Sequence, residues 1–158
     1  LLGNTIDSVF WSAHCPVAVM RLLDEPIKIR SILVPVKNMT PQALHAVQFA
    51  QLFADANQAT VLLLHVGDRQ TSKETIDAFE TEFAAYMNQS RLTVDWTIQT
   101  ICQDDIAEAI VKAARSFDMV VLRSVRRRTV AGLAVSDVTT QVLSEITCSA
   151  VLFGEPHA

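Results

Sequence analysis

Short apolar runs alternate with longer amphipathic segments along most of the chain. The run Ile32–Val36 is followed by Thr40-Pro41 and then by apolar residues at helical spacing from about 41 to 56. A capping threonine with proline at the first helical position is a typical helix start. The run Val61–Val66 comes next. This pattern predicts a buried strand, a helix and a second buried strand.

The same alternation continues to the end of the chain. Further on, the pattern predicts a helix from Lys73 to about Gln89, a strand nearer a sheet edge over Thr93–Ile101 and a helix that begins at Asp104-Asp105. A strand over Met119–Leu122 and a basic loop over Arg123–Thr129 follow. The last predicted elements are a helix over about 136–146 and a strand over Ala150–Phe153.

Strands that alternate with helices predict a doubly wound α/β fold, with a parallel sheet and helices on both of its faces. In such sheets, ligands bind beyond the carboxyl ends of the strands, at the point where the strand order reverses. The candidate rim is formed by 37–40, 66–68 and 123–129.

Composition and charge narrow the classes of function. Half of the 158 residues are apolar and 19% are charged, so the chain can bury a sizeable core. The net charge of −4 gives no general reason to expect nucleic-acid binding. No apolar run approaches the roughly 18 residues of a membrane span. Three cysteines without CxxC spacing indicate reduced thiols in a cytosolic protein, and a start at Leu1 without Met indicates an excised domain.

Residues 1–21 lie outside this scheme and resemble the chain's own end. A shift of 133 positions places Val9 on Val142, Cys15 on Cys148, and Val17–Met20 on Ala150–Phe153. We therefore interpret 1–25 as the last helix and strand of a preceding repeat plus a linker, and 28–158 as a complete domain. An unrelated N-terminal hairpin is the alternative.

Several of these segments carry a family resemblance. Ile32-Leu33-Val34-Pro35-Val36, Leu64-His65-Val66, Asp118-Met119-Val120-Val121, Thr147-Cys148-Ser149-Ala150-Val151-Leu152 and His14-Cys15-Pro16-Val17-Ala18-Val19-Met20-Arg21 are similar to segments of universal stress proteins. The resemblance implies a Rossmann-like open sheet of five parallel strands in the order 3-2-1-4-5, preceded here by an extra helix and strand. Tandem members with degenerate sites are similar to the C-terminal regions of some bacterial cation/proton antiporters.

The resemblance also implies where a nucleotide site would lie. ATP-binding members carry Gly-x-x-Gly-(nine residues)-Gly-Ser/Thr after the fourth strand, where glycines let the backbone approach phosphates. The spacing is kept here, but Arg123, Arg126 and Ser136 replace the glycines and Asp137 replaces the hydroxyl residue. Lys37 stands where the family has an acidic residue, and Val66 ends the second strand.

These replacements predict that the chain does not bind ATP in the conventional way. Arginine side chains fill the space that a phosphate needs, and Asp137 would repel it. The arginine cluster is either a solvated basic loop or an altered anion site, with Lys37 across the rim and Thr139 and Thr140 at the helix start. The expected cofactor is none.

Other candidate residues do not predict catalysis. His65 reads as a packed or capping histidine, and His14 and His45 lie far from any acidic cluster with metal-ligand spacing. Asp104-Asp105 reads as a helix start, because adjacent carboxylates on a helix point apart. We expect neither an enzyme nor a metal site.

Two functions remain open. The first is a non-catalytic regulatory or interaction domain at the cytosolic face of a larger protein such as a transporter. The second is a sensor that binds a nucleotide or another anion through the arginine loop. Family dimers and tandem pairs join through their last strands, so Val17–Met20 is expected to pair antiparallel with Ala150–Phe153, within one chain or between two. Trp11 is expected to pack against the domain.

Overall fold

The structure, a computed structural model, describes residues 3–89, 94–125, 127–129, 132–134 and 137–155. Five α-helices are α1 (Asn4–Ser12), α2 (Pro41–Asn57), α3 (Lys73–Asn88), α4 (Ile106–Ala114) and α5 (Asp137–Glu145). Eight strands are β1 (Val17–Arg21), β2 (Ser31–Val36), β3 (Thr60–Gly67), β4 (Trp96–Cys102), β5 (Met119–Val125), β6 (Arg127–Thr129), β7 (Gly132–Ala134) and β8 (Ser149–Glu155). A 3₁₀ turn covers Pro26–Lys28.

The main sheet has the predicted doubly wound topology. Its strand order is β4-β3-β2-β5-β8-β1, and all neighbours are parallel except β8 and β1. Counted without β1, the strands follow the order 3-2-1-4-5, which confirms the predicted fold class. The order reverses at β2, whose neighbours β3 and β5 lead to opposite ends of the sheet.

The leading strand extends this sheet at its β8 edge. β1 pairs antiparallel with β8 within the same chain, with Val17 opposite Gly154 and Arg21 opposite Ala150. This register confirms the predicted pairing of the first apolar strand with the last. The amide of Leu23 also donates to Ser149 Oγ at 2.9 Å, which ties the following linker to the start of β8.

Helix starts agree with local capping chemistry. Thr40 caps α2 by accepting a hydrogen bond from the Ala43 amide at 3.2 Å, and Pro41 occupies the first turn. Ser72 caps α3 in the same way, through the amide of Thr75 at 3.2 Å. These caps satisfy amide groups that a helix leaves unpaired at its first turn, which is why the predicted starts were accurate.

The core is divided between the two faces of the sheet. On one face, α2 and α3 cover a buried cluster that includes Val34, Val61, Phe83 and Val151. On the other face, α4, α5 and α1 cover a second cluster that includes Phe10, Leu64, Ile110, Val142 and Leu152. Alternate residues of the central strands serve the two clusters, since side chains alternate across a sheet.

Helix α1 is anchored to this core by Phe10, which is fully buried. Its ring lies against the backbone of Gly154 in β8, where an added Cβ would come within 2.9 Å of three ring atoms. Trp11 was also expected to pack against the domain, and its side chain lies outside the described residues, so that expectation stays a prediction. Among the described side chains of α1, Phe10 is the one that is fully buried.

The segment expected to be a basic loop is built differently. β5 continues through Val125, because β8 pairs with it as far as Val125 opposite Glu155. Arg127–Thr129 then forms β6, which pairs antiparallel with β7. The correction has a physical reason: a neighbouring strand that extends past the apolar run offers hydrogen bonds to residues whose side chains are polar.

Candidate functional site

A cleft of ≈ 340 Å³ opens where the strand order reverses. It lies beyond the carboxyl ends of β2, β3 and β5, between the first turns of α2, α4 and α5. The cleft is lined by Pro35, Val36, Lys37, Asn38, Ala43, Ala46, Val66, Ile106, Ile110, Leu122, Arg123, Val138 and Thr139. Ligand sites of doubly wound sheets occupy this position.

The walls of the cleft are mostly apolar and its polar groups are few. Val66, Leu122 and Thr139 are buried, while Lys37 and Asn38 are exposed at the rim and Arg123 is half-buried. The apolar walls come from strands on one side and from Ile106 of α4 on the other. Such a site can hold an apolar or planar group and present a small number of polar contacts to it.

Its electrostatic character is positive. Lys37 and Arg123 both line the cleft, and no Asp or Glu does so in the part of the chain that the structure describes. The first turns of three helices also face it, and a helix N-terminus carries partial positive charge. Guanidinium and ammonium groups together suit a phosphate or a carboxylate.

The structure brings together part of the predicted site. Lys37, Val66 and Arg123 lie at this one cleft, on three different strands or strand ends. Arg126 and Ser136 lie outside the described residues. Asp137 is the first residue of α5, and its side chain is also outside the description. Arg123 lies within β5 and not in the expected loop.

Sequence reasoning missed most of the cleft wall. Ile106, Ile110 and Leu122 line it without having been named as site residues, whereas Asn38 falls within the expected rim 37–40. A helix that begins after the edge strand β4 returns across the sheet, so the first turn of α4 reaches the β2–β5 junction. Helices that follow parallel strands begin at the same edge of the sheet. This rule would have pointed to Ile106.

The groups present limit the chemistry that the cleft can perform. Lys37 and Arg123 can hold an anion, but no His, Cys, Asp or Glu lines the described cleft. General acid–base catalysis relies mostly on those side chains. No group of three His, Cys, Asp or Glu residues that could hold a metal ion occurs among the described residues.

His65 lies near the end of β3, outside the cleft and buried under α3. Its Nδ1 is 3.3 Å from Thr100 Oγ1, and that hydroxyl donates to Glu80 Oε1 at 2.8 Å. The imidazole stacks on Phe79 with ring centroids 3.7 Å apart. Burial lowers the pKa of His65, and the negative charge of Glu80 partly opposes this. The residue is a packed histidine, as the sequence indicated.

The paired aspartates act at a helix start, as predicted. Asp105 caps α4 by accepting a hydrogen bond from the Glu108 amide at 3.0 Å. Asp104 points elsewhere and accepts from the Arg69 amide at 3.3 Å. The two carboxylates thus serve two separate structural contacts.

The three cysteines are free thiols. Cys15 and Cys102 are exposed. Cys148 is half-buried, packs against the core and has its pKa raised by burial.

None of the described helices is long and apolar enough to cross a membrane.

Comparisons with known proteins identify the family to which the sequence is similar. Residues 28–153 match the family model described as the Universal stress protein family. A curated relative, the Na(+)/H(+) antiporter NhaS5 of Synechocystis sp., is 54% identical over all 158 residues. The chain spans 23% of the length of that relative.

Solved structures with low sequence identity share the fold. A universal stress protein from Archaeoglobus fulgidus superposes with a TM-score of 0.64 at 15% identity, covering 78% of this chain and 93% of that one. A second protein of that organism gives 0.64 at 14% identity, covering 99% of this chain and 56% of that one. A universal stress protein in complex with cAMP gives 0.62 at 19% identity, covering 78% and 95%.

Proposed function

Because the chain belongs to the universal stress protein family, we propose that it is a regulatory or interaction domain of a membrane transporter. The domain works at the cytosolic face of that transporter, and the transported species is a monovalent cation exchanged for protons. Its partners are the rest of its own chain and a neighbouring domain of the same fold, and it carries no catalytic activity.

One observation carries the proposal. The identity of 54% with a Na(+)/H(+) antiporter extends over all 158 residues, including α1 and β1, which lie before the matched family domain. The relative therefore carries sequence similar to the leading segment as well as to the domain that follows it. Similarity at this level supports a common arrangement within a larger protein.

The cleft is consistent with a regulatory role. It offers positive side chains and apolar walls, but its described lining has no carboxylate, imidazole or thiol. Such a cleft can bind a ligand and report its presence through the helices around it. α5 contributes Val138 and Thr139 to the cleft and also contacts β1, where Arg21 Nη1 donates to the Leu143 carbonyl at 3.0 Å.

The test uses the full-length product of the gene that encodes this chain. Inverted membrane vesicles that contain it should exchange Na⁺ for protons, measured by the recovery of a transmembrane pH gradient. Deletion of 1–158 should leave exchange measurable while changing its dependence on sodium concentration or pH. A full-length product that remains in the soluble fraction, or vesicles without exchange, would overturn the proposal.

A second candidate function is an anion sensor. The observation in its favour is that Lys37 and Arg123 line the same cleft. Two solved universal stress proteins, each with a TM-score of 0.62, are structures of complexes with dAMP and with cAMP. We infer that a nucleoside monophosphate or a similar planar anion is the ligand class in this case.

We expect ATP itself not to bind in the usual manner. Arg123 occupies the position at which ATP-binding members have their first glycine. A side chain at this position prevents the backbone from approaching the phosphates closely. No bound cofactor is therefore part of the proposal.

Ligand titrations followed by thermal unfolding separate the two candidates. The ligands tested are AMP, cAMP, ATP and inorganic phosphate, each at up to millimolar concentration. Binding to the folded state adds RT ln(1 + [L]/Kd) to the free energy of unfolding and so raises the midpoint of thermal unfolding. Arg123→Ala should remove the shift, whereas Arg115→Ala, which removes an exposed charge after α4, should keep it. Flat curves for all four ligands would reject the sensor and leave the regulatory domain unaffected.

A further inference from the structure

The end of β5 that carries Arg123 is held by one neighbouring strand of the described sheet. β2 pairs with β5 at Met119 and Val120, near the start of that strand. β8 pairs with β5 over its full length, from Met119 to Val125, and places Phe153 opposite Arg123. Backbone hydrogen bonds to β8 therefore fix the part of β5 that brings Arg123 to the cleft.

β8 has a glycine directly beside this contact. Gly154 lies opposite Ser124, the residue after Arg123, and a glycine within a strand has no side chain to pack. Phe10 of α1 fills the free space, because it is 0% exposed and its ring lies against the Gly154 backbone. The leading helix thus supports β8 next to the residue that pairs with Arg123.

Helix α1 also contacts the segment that follows β5. The hairpin of β6 and β7 comes after β5 in the chain, and its second strand packs against α1. The chain then enters α5, whose Val138 and Thr139 line the cleft. The leading helix therefore contacts two elements that adjoin the cleft end of β5, namely β8 and the hairpin.

The apolar wall of the cleft belongs to the same buried cluster as Phe10. Val66, Ile110 and Leu122 line the cleft and are members of that cluster. Leu122 immediately precedes Arg123. Because side chains in a protein interior are closely packed, a change at Phe10 affects its neighbours in the cluster. Backbone pairing and core packing thus connect Phe10 with the position of Arg123.

We propose that Phe10 is a positioning residue of the cleft, which acts through Arg123. This inference rests on the second candidate function, the anion sensor. With Phe10 docked, the end of β5 is held against β8 and Arg123 lines the cleft together with Lys37. The two cations bind the phosphate group of a nucleoside monophosphate, while the apolar walls contact its base. Affinity for the phosphate therefore depends on the docking of α1.

This dependence works in both directions. If docking of α1 raises the affinity for an anion, the anion strengthens the docking of α1 by the same factor, since the two equilibria are linked. A change in the leading unit then reaches the cleft, and occupation of the cleft reaches the leading unit. In a regulatory domain, this linkage is a path by which ligand binding is reported to a neighbouring part of the protein.

Isothermal titration calorimetry of the 158-residue chain with AMP and with adenosine tests the proposal, because the two ligands differ only in the phosphate. AMP should bind the parent chain more tightly than adenosine. Phe10→Ala should weaken AMP binding by about fivefold or more, and adenosine binding by less than about twofold. Arg123→Ala should cause the same selective loss. Val9→Ala, at a position that is 56% exposed on the same helix, is the matched control and should leave both affinities unchanged.

A double variant shows whether Phe10 acts through Arg123. Phe10→Ala should add little to the loss in a chain that already carries Arg123→Ala, because the group that it positions is then missing. Hydrogen exchange gives the reciprocal measurement. AMP should slow the exchange of α1 amides in the parent chain but not in Arg123→Ala. A residue with a purely structural role would not link these two readouts.

Circular dichroism establishes that each variant is folded. Phe10→Leu, which keeps an apolar side chain, should show the same selective loss in smaller measure and replaces Phe10→Ala if that variant does not fold. Equal losses for AMP and adenosine, or full additivity of the two substitutions, would overturn the proposal, because Phe10 would then stabilise the fold without positioning Arg123. Absence of AMP binding by the parent chain would overturn it together with the anion sensor. The regulatory role in a transporter is tested separately, by ion exchange in vesicles.

Discussion

At the scale of single residues, His65 shows how burial sets a chemical property that its position in the sequence does not reveal. The imidazole lies between β3 and α3, stacked on Phe79 and 3.3 Å from Thr100 Oγ1. Protonation would place a charge in this buried site, while Glu80 offers only partial compensation. The pKa of His65 is therefore lowered, and the folded state prefers the neutral ring.

We expect this residue to make the domain sensitive to acid. Above pH 6.5, the imidazole is mainly neutral in both states and does not affect the pH dependence of stability. As the pH falls below that value, the unfolded state binds the proton first, so the free energy of unfolding decreases until the lowered pKa of the folded state is reached. Urea denaturation between pH 5 and pH 8 measures this decrease.

Two variants of this contact and one control variant test that expectation. His65→Phe keeps a ring against Phe79 and should flatten the pH dependence. Glu80→Gln removes the charge that favours protonation, so the loss at low pH should grow. His14→Gln changes an exposed histidine and should leave the profile as in the parent chain. An unchanged profile in His65→Phe would show that other groups dominate.

At the scale of elements, the docking of α1 depends on an aromatic ring against a bare backbone. Phe10 is fully buried, and the missing side chain of Gly154 provides the room for its ring. Such an arrangement needs both residues at once, since a methyl group at 154 would overlap the ring. It is the contact that holds the leading helix to the last strand.

Gly154→Ala should therefore destabilise the chain by about 1–3 kcal/mol, the usual effect of overpacking a well-filled site. Phe10→Leu removes part of the ring and has its own smaller effect. The double variant should lose less stability than the sum of the two, because the shorter side chain makes room for the methyl group. Chemical denaturation of all four proteins measures the coupling, and strict additivity would contradict the contact.

At the scale of the whole molecule, β1 covers the edge of β8. That edge follows the buried residues Val151, Leu152 and Phe153, so without β1 it would be both apolar and unpaired. Uncovered strands of this kind associate with other strands. We therefore expect the leading unit to protect the domain from self-association at this edge.

Removal of 1–25 should release that protection. The shortened chain is expected to form dimers through antiparallel pairing of two β8 strands, with a mass in light scattering above that of the 158-residue chain at equal concentration. Val19→Pro in the intact chain removes one hydrogen-bond donor at the centre of β1 and should move the mass in the same direction. Circular dichroism distinguishes association from unfolding. Equal masses of the shortened and intact chains would refute this role of β1.

The pattern of apolar and polar residues was enough to predict the five helices and the six strands of the main sheet in their order, although not β6 and β7. Runs such as Ile32–Val36 and Val61–Val66 specify strands, and Thr40-Pro41 and Asp105 specify helix starts, because these are local properties of the chain. Alternation of strands and helices then restricts the topology, since the crossover connection between two parallel strands is right-handed. The correspondence between the leading and closing segments likewise required only the sequence.

The tertiary structure decided what depends on neighbours distant in sequence. Arg123 became a strand residue because β8 pairs beside it, and Phe10 docked α1 because Gly154 lies opposite. Ile106 joined the cleft because α4 returns across the sheet. The sequence by itself determined the helices and the strands of the main sheet, their order and the 133-residue correspondence. Pairing register, burial and the cleft wall arise only when separate segments meet, since hydrogen bonding and exclusion of water act between them.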